Sequence, residues 1–206
     1  MDHKLTSRGL VTAACLVLAG CVTASDLAGS IGSGARRSYL DHAGRDGPVL
    51  AVAVNLPASL SAEATGQLVA RAAGDAITET TTRFTNDPGL ARNRDYRLVV
   101  VFDPPRGTAP STLCEGAPVG VTQGRPEMLV GAIFCARGQA LAGARASGPR
   151  PRSPNDPALS KLVRAAIGEL FPTPIGGPKG ASERALDGIQ LSPGIRLTRS
   201  PLEGIF

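Results

Sequence analysis

Tryptophan is absent, and two tyrosines and five phenylalanines leave aromatics at 3% of the 206 residues. Grooves that stack nucleic-acid bases or sugar rings are built from such side chains, so both are poor descriptions of this chain. Histidine is almost missing as well, with only His3 and His42. No apolar run approaches the ~20 residues that a membrane-spanning helix requires. Nor is there a dense basic run: the pairs Arg36-Arg37 and Arg150/Arg152 come nearest. A nucleic-acid footprint needs a basic stripe with stacking or base-reading groups, and neither is here.

What is present suffices for one core. Hydrophobic residues make up 42% of the chain and charged residues 19%, which excludes a wholly disordered polypeptide. The 25 Gly and 17 Pro, about a fifth of the chain, imply long irregular segments beside that core. The formal net charge is +5, and only three of the 22 basic residues are lysines. Such a mild positive balance suits anionic lipid headgroups or glycan phosphates, and suits an ordinary solvated surface equally well.

Residues 1–20 have the pattern of a secretory leader: His3, Lys4 and Arg8 precede an apolar run from Gly9 to Ala19. It ends in Leu18-Ala19-Gly20-Cys21, and all four positions resemble the lipobox of bacterial lipoproteins. The resemblance implies cleavage before Cys21, a diacylglyceryl thioether on its sulfur and acylation of the new amino group. One acyl chain holds a protein only marginally, at about 0.8 kcal/mol per buried methylene, whereas several make a stable anchor. In enterobacterial lipoproteins an Asp directly after the lipidated Cys retains the protein at the inner membrane. Here Val22 follows, so the resemblance points to the periplasmic face of the outer membrane.

On that reading Cys15 leaves with the leader and Cys21 carries lipid, leaving Cys114 and Cys135. An even number in an oxidising compartment makes a disulfide the default. It would close a loop of about twenty residues, worth roughly 3 kcal/mol in the chain-entropy model. A redox pair or a metal site is the alternative, but redox pairs usually have C-x-x-C spacing, far closer than this. The leader also takes Lys4, Arg8 and Asp2 with it, lowering the net charge by one.

Residues 21–46, with their Gly29-Ser30-Ile31-Gly32-Ser33-Gly34 stretch, read as a flexible tether, roughly 25–30 Å from end to end. No strand precedes these glycines and no Lys-Ser/Thr follows them, so they are no phosphate loop. Val49 to Val54 is a continuous apolar run, as expected of a strand buried on both faces. Ser59 or Ser61 then caps a helix running to about Thr78, with Leu60, Ala64, Leu68, Ala72 and Ala76 on one stripe. Tyr96 to Phe102 is the strongest strand and stops at Asp103-Pro104-Pro105. Strand, helix and strand in this order imply a parallel pair.

A long loop over 104–126 holds Cys114, Met128 to Cys135 is a third strand, Arg137-Gly138 a tight turn, and Gln139 to Ala146 a partner strand. After a Pro/Arg-rich loop at 147–155, Asp156 caps a second helix with Pro157 at its first position. Its apolar face is Leu159, Leu162, Val163, Ala166, Ile167 and Leu170. The fold class expected is thus α+β: a two-layer domain over 47–171 in the order β-α-β-β-β-α, with a mixed four-stranded sheet and two helices. The Pro/Gly-rich tail at 172–206 is expected to be mostly irregular. The element order and the Cys-bearing hairpin resemble α/β modules of proteobacterial envelope lipoproteins, a likeness that carries no catalytic residue.

Chemistry is thinly represented. With the leader removed, His42 is the sole histidine and sits in the tether, which leaves little for a zinc site or a His-activated nucleophile. Asp103, at a strand end, and Glu115, beside Cys114, are the two acids to weigh, since paired carboxylates perform glycoside hydrolysis at defined separations. The plain alternatives are a turn residue before Pro-Pro and a solvated loop acid. Arg97, alternating with apolar neighbours, suits an ion pair with Asp95 or Asp103. No cofactor is implied. The expectation is a non-enzymatic outer-membrane lipoprotein, an adaptor or assembly module with an envelope protein partner and no nucleic acid. The alternative is a small-ligand or glycan binder using Asp103 and Arg97 near the strand ends.

Overall fold

The computed structural model describes residues 22–27, 31–57, 60–78, 80–116, 119–153 and 155–173. The leader, Cys21 and nearly all of the expected tail lie outside the described residues. The first of two compact units ends at Phe171. Its elements are β1 (Thr23–Asp26), α1 (Ser33–Ala43), β2 (Val49–Val54), α2 (Ala62–Ala76), β3 (Phe84–Thr85), β4 (Tyr96–Phe102), α3 (Pro110–Cys114), β5 (Glu127–Ala136), β6 (Gln139–Pro149) and α4 (Pro157–Leu170). The mixed α/β class holds, but the sheet has six strands, in the order β1-β6-β5-β4-β2-β3, where four were expected.

The largest correction concerns residues 22–46. They are no free tether: β1 pairs antiparallel with β6, Thr23 opposite Ser147 and Asp26 opposite Ala144. α1 then packs Leu40 and Ala43 into the main core. What fixes this segment is polar. Arg36 is 5% exposed, and its guanidinium donates to the Ile31 carbonyl at 2.7 Å, the Leu170 carbonyl at 3.1 Å and Asp26 Oδ2 at 2.6 Å. A buried cation survives only when its donors are met in this way.

β4 is the centre of the sheet, parallel to β2 and antiparallel to β5. Its alternate side chains Leu98, Val100 and Phe102 join α1, α2 and α4 in one core, while Val99 and Val101 join Leu113, Cys114, Ile133 and Cys135 in a second. On the three-helix face β5 and β6 present small residues, Ala132, Ala142, Ala144 and Ala146, all buried. Against these α4 lays the six apolar residues expected of it, every one buried. Ser61 caps α2, its Oγ accepting from the Ala64 amide at 3.2 Å. The β5–β6 hairpin turns on Arg137 and Gly138, both at positive φ (51° and 81°), the primed geometry that matches strand twist.

On the opposite face, among the described residues, the one helix is α3, one short turn inside the expected 104–126 loop. Cys114 at its end forms the disulfide with Cys135 of β5. The bond pins this loop over Val99 and Ile133, where Leu113 is also buried. Replacing both cysteines with serine should lower unfolding stability by about 3 kcal/mol. Urea denaturation of the oxidised protein and of the variant checks the value.

Candidate functional site

Asp103 ends β4 with a φ of 46°, in the left-handed region, where an Asp is tolerated better than most residues. Asn55 (φ 56°) ends the parallel neighbour β2 in the same way. The Asp103 amide donates to the Leu129 carbonyl at 2.7 Å, and its carbonyl accepts from the Thr122 amide at 2.8 Å. Its carboxylate is divided: Oδ1 accepts from the Leu129 amide at 3.0 Å and Oδ2 from Arg150 Nη1 at 2.8 Å. The Asp103 side chain is 7% exposed and that of Arg150 39%. Arg150 also donates to the carbonyls of Arg125 and Glu127, each at 3.3 Å. The pair therefore ties the end of β4 to the ends of β5 and β6 and leaves no Asp103 oxygen without a donor.

Beside this pair a cleft of about 470 Å³ opens at the ends of β2 and β4, lined by Asn55, Pro57, Asp103, Arg150, Arg152 and Leu159, among others. Strand ends of this kind are where open α/β sheets commonly hold ligands, and the volume lies in the usual range for small-molecule sites. The start of α4 borders it. Asp156 caps that helix, Oδ1 accepting from the Ala158 amide and Oδ2 from the Arg152 amide, each at 2.9 Å. The backbone amide of Arg152, then that of Ala158, holds the Asp156 carboxyl below its ordinary value of 3.8.

The remaining candidates do not converge on Asp103. Arg97 forms neither expected ion pair: its Nη2 donates to the Cys114 carbonyl, while Asp95 pairs with Arg137 at 3.1 Å. Glu115 is exposed at the end of α3, beside the Cys114–Cys135 bond and so beside Arg97, which faces Cys135 across the sheet. Arg97 and Asp103 are six positions apart on an extended strand, about 20 Å at the ordinary rise. That spacing far exceeds the roughly 5–9.5 Å of a glycosidase carboxylate pair. His42 is exposed in the last turn of α1, its ring edge-on to Tyr96 with centroids 5.7 Å apart. Among the described residues no group of three or more His, Cys, Asp or Glu could hold a metal ion, and no helix is long and apolar enough to cross a membrane.

Sequence reasoning missed Arg150, the true partner of Asp103, although its place in a Pro/Arg-rich segment drew attention to it. It also missed a second cleft, of about 510 Å³, on the face of β5 and β6 away from the three long helices. Arg106, Arg125, Arg145 and Ser147 line it, with Glu127 its one acid.

No family model matches the chain, and no curated protein sequence matches it. Among solved structures it is similar to the PelC dodecamer from Paraburkholderia phytofirmans in two crystal forms. A point variant of PelC gives 14% identity and a TM-score of 0.38, covering 74% of this chain and 98% of that one. The other form gives 15% identity and a TM-score of 0.39, covering 74% and 96%. A likeness at that level assigns neither residues nor activity to this chain.

Two outcomes follow from the local geometry. Asp103→Ala removes the acceptor of the Leu129 amide and should cost about 2 kcal/mol; Arg150→Ala should cost at least as much, because it leaves the buried carboxylate with one donor, whereas an unpaired Arg150 turns to water. Chemical denaturation of the two variants and the double variant measures the difference. For Asp156 a lowered folded pKa means its contribution is complete above 3.8, the ordinary value, and is lost as pH falls through the folded value. Hydrogen exchange at the Ala158 amide should accelerate on acidification in that window, and should not do so in Asp156→Asn.

Proposed function

We propose that this chain is a lipid-anchored, non-enzymatic module of the bacterial cell envelope, held through Cys21 at the periplasmic face of the outer membrane, where it serves as an adaptor or assembly component for an envelope protein partner. The observation that carries this reading is Leu18-Ala19-Gly20-Cys21, followed after a single residue by a strand built into the sheet. A lipidated Cys21 is thus fastened to a folded domain almost without a spacer. A structural part is favoured over a catalytic one by the fate of the two carboxylates: that of Asp103 is taken up by Arg150 and the Leu129 amide, and Glu115 stands at the other end of β4.

A second reading, a small-ligand or glycan binder, draws on one feature: the cleft beside Asp103, with Arg150, Arg152 and Asn55 on its walls. Of the two arginines, Arg152 makes no side-chain ion pair among the described residues, which leaves it for an anionic or polyhydroxylated guest.

Mass spectrometry of the native polypeptide should find Cys21 as the first residue, bearing a diacylglyceryl thioether and an acylated amino group. Partition into the aqueous phase of a detergent cloud-point extraction, or a retained leader, overturns the anchor. Crosslinking in intact cells should then recover one defined envelope protein, and repeated recovery of none counts against the adaptor role.

A further inference from the structure

The cleft on the α3 side of the sheet gathers three arginines, Arg106, Arg125 and Arg145, with one acid, Glu127. Arg36, Arg137, Arg150 and Arg164 each reach a carboxylate. Arg106, Arg125 and Arg145 do not: among the described residues none of their side chains has an ion pair or a hydrogen bond. Three guanidinium groups share this concavity with a single carboxylate, Glu127, so its lining carries a net positive charge that a bound anion balances. Guanidinium is also the side chain best matched to phosphate, which it meets through paired N–H donors.

The location of the cleft says where the phosphate comes from. Ser147 lines it, and the Ser147 hydroxyl is 2.9 Å from the Thr23 hydroxyl on the adjoining edge strand. In the same register Arg145 lies opposite Ser25, so Arg145, Ser147, Thr23 and Ser25 share one face of the sheet. Val22, the residue after Cys21, lies against Gly148. Two residues of chain span at most about 7 Å, so the Cys21 backbone cannot be farther than that from Thr23. A sulfur bearing acyl chains must sit at the bilayer surface, and the arginine cleft is then held at headgroup depth.

Arg106 and Arg145 also rim a small apolar hollow formed by Leu27, Val101, Leu113 and Ile133. At about 30 Å³ it holds a water or two and excludes an acyl chain. The contact is therefore with headgroups, not with lipid tails.

We propose that Arg106, Arg125 and Arg145 form a binding site for the phosphates of anionic phospholipids in the membrane to which the chain is anchored, and that this site sets the orientation of the domain on the bilayer. The inference rests on the anchored reading of Cys21. Each arginine close to an anionic surface adds about fivefold to membrane partition, which is ~1 kcal/mol.

The test uses the mature chain with Cys21→Ser, which removes the anchor and leaves the cleft. Sedimentation with phosphatidylcholine vesicles containing one-third phosphatidylglycerol should show binding that pure phosphatidylcholine vesicles lack. Arg106→Ala and Arg145→Ala, both exposed positions, should each weaken it about fivefold with unchanged melting. Arg92→Ala, lining a separate cleft beside Gly47, should leave it intact. Equal binding to both vesicle types, or equal loss in the Arg92 variant, overturns the site. Competition by millimolar inorganic phosphate at constant ionic strength overturns the lipid source and leaves a free-phosphate pocket. Failure of the anchor registers separately: native Cys21 is then found without lipid, whatever the vesicles show.

Discussion

Tyr96–Phe102 carries apolar side chains at nearly every position, so both of its faces must be taken out of water, and the rest of the structure depends on how each face is covered. One face receives a broad layer, with α4 packed against small residues of β5 and β6, α2 against β2 and α4, and α1 in the same core. The other receives one turn of helix. The Cys114–Cys135 bond adds to its burial by limiting the freedom of the unfolded loop. The two layers are thus stabilised by different physics. The helical layer responds to core volume, whereas the thin layer responds to redox conditions.

This division explains what was legible in the sequence. The central strand, α2, α4, the hairpin turn and the cysteine pair each announce themselves through local periodicity, a capping residue or a turn dipeptide. The elements that escaped have no apolar signature. β1 is Thr-Ala-Ser-Asp, exposed at all four positions, and exists because β6 offers it a free edge. α1 is held by Arg36, a residue that any periodicity analysis places on the outside. β3 has two residues and α3 one turn, both below the length at which a repeat can be seen. Long-range pairing made these elements, and sequence patterning is blind to it.

The site was less legible still. Asp103 drew notice because a carboxylate at a strand end is a common ligand position, yet its partner Arg150 lies 47 residues away and makes it a clasp. Arg97, expected to pair with an acid, bonds a backbone carbonyl because the disulfide brings Cys114 over it. Arg106, Arg125 and Arg145 are each about twenty positions from the next, so no basic run marks them. The 104–126 loop carries two of them back over the sheet, and β6 contributes the third on its outward face. A charge cluster assembled in this way becomes visible only once strand register is known.

The correction at residues 22–46 changes the physical picture of attachment. A free linker of that length would let the domain wander through a shell of roughly 25–30 Å, presenting every surface to the periplasm in turn. With β1 zipped to β6 and α1 packed on the core, the described residues of this segment belong to the fold, so the proposed anchor would act on the domain without a long linker. Attachment at the β1 edge would rank the surfaces of the domain by distance. The sheet is six strands wide, so its far edge is about 24 Å from β1 at ordinary strand spacing. There β3 covers only Val49 and Leu50, while Ala51–Val54 of β2 continue past it beside a cleft lined by Leu56, Ala62 and Pro88. On the proposed anchored reading, the edge formed by β1 is the one nearest the bilayer.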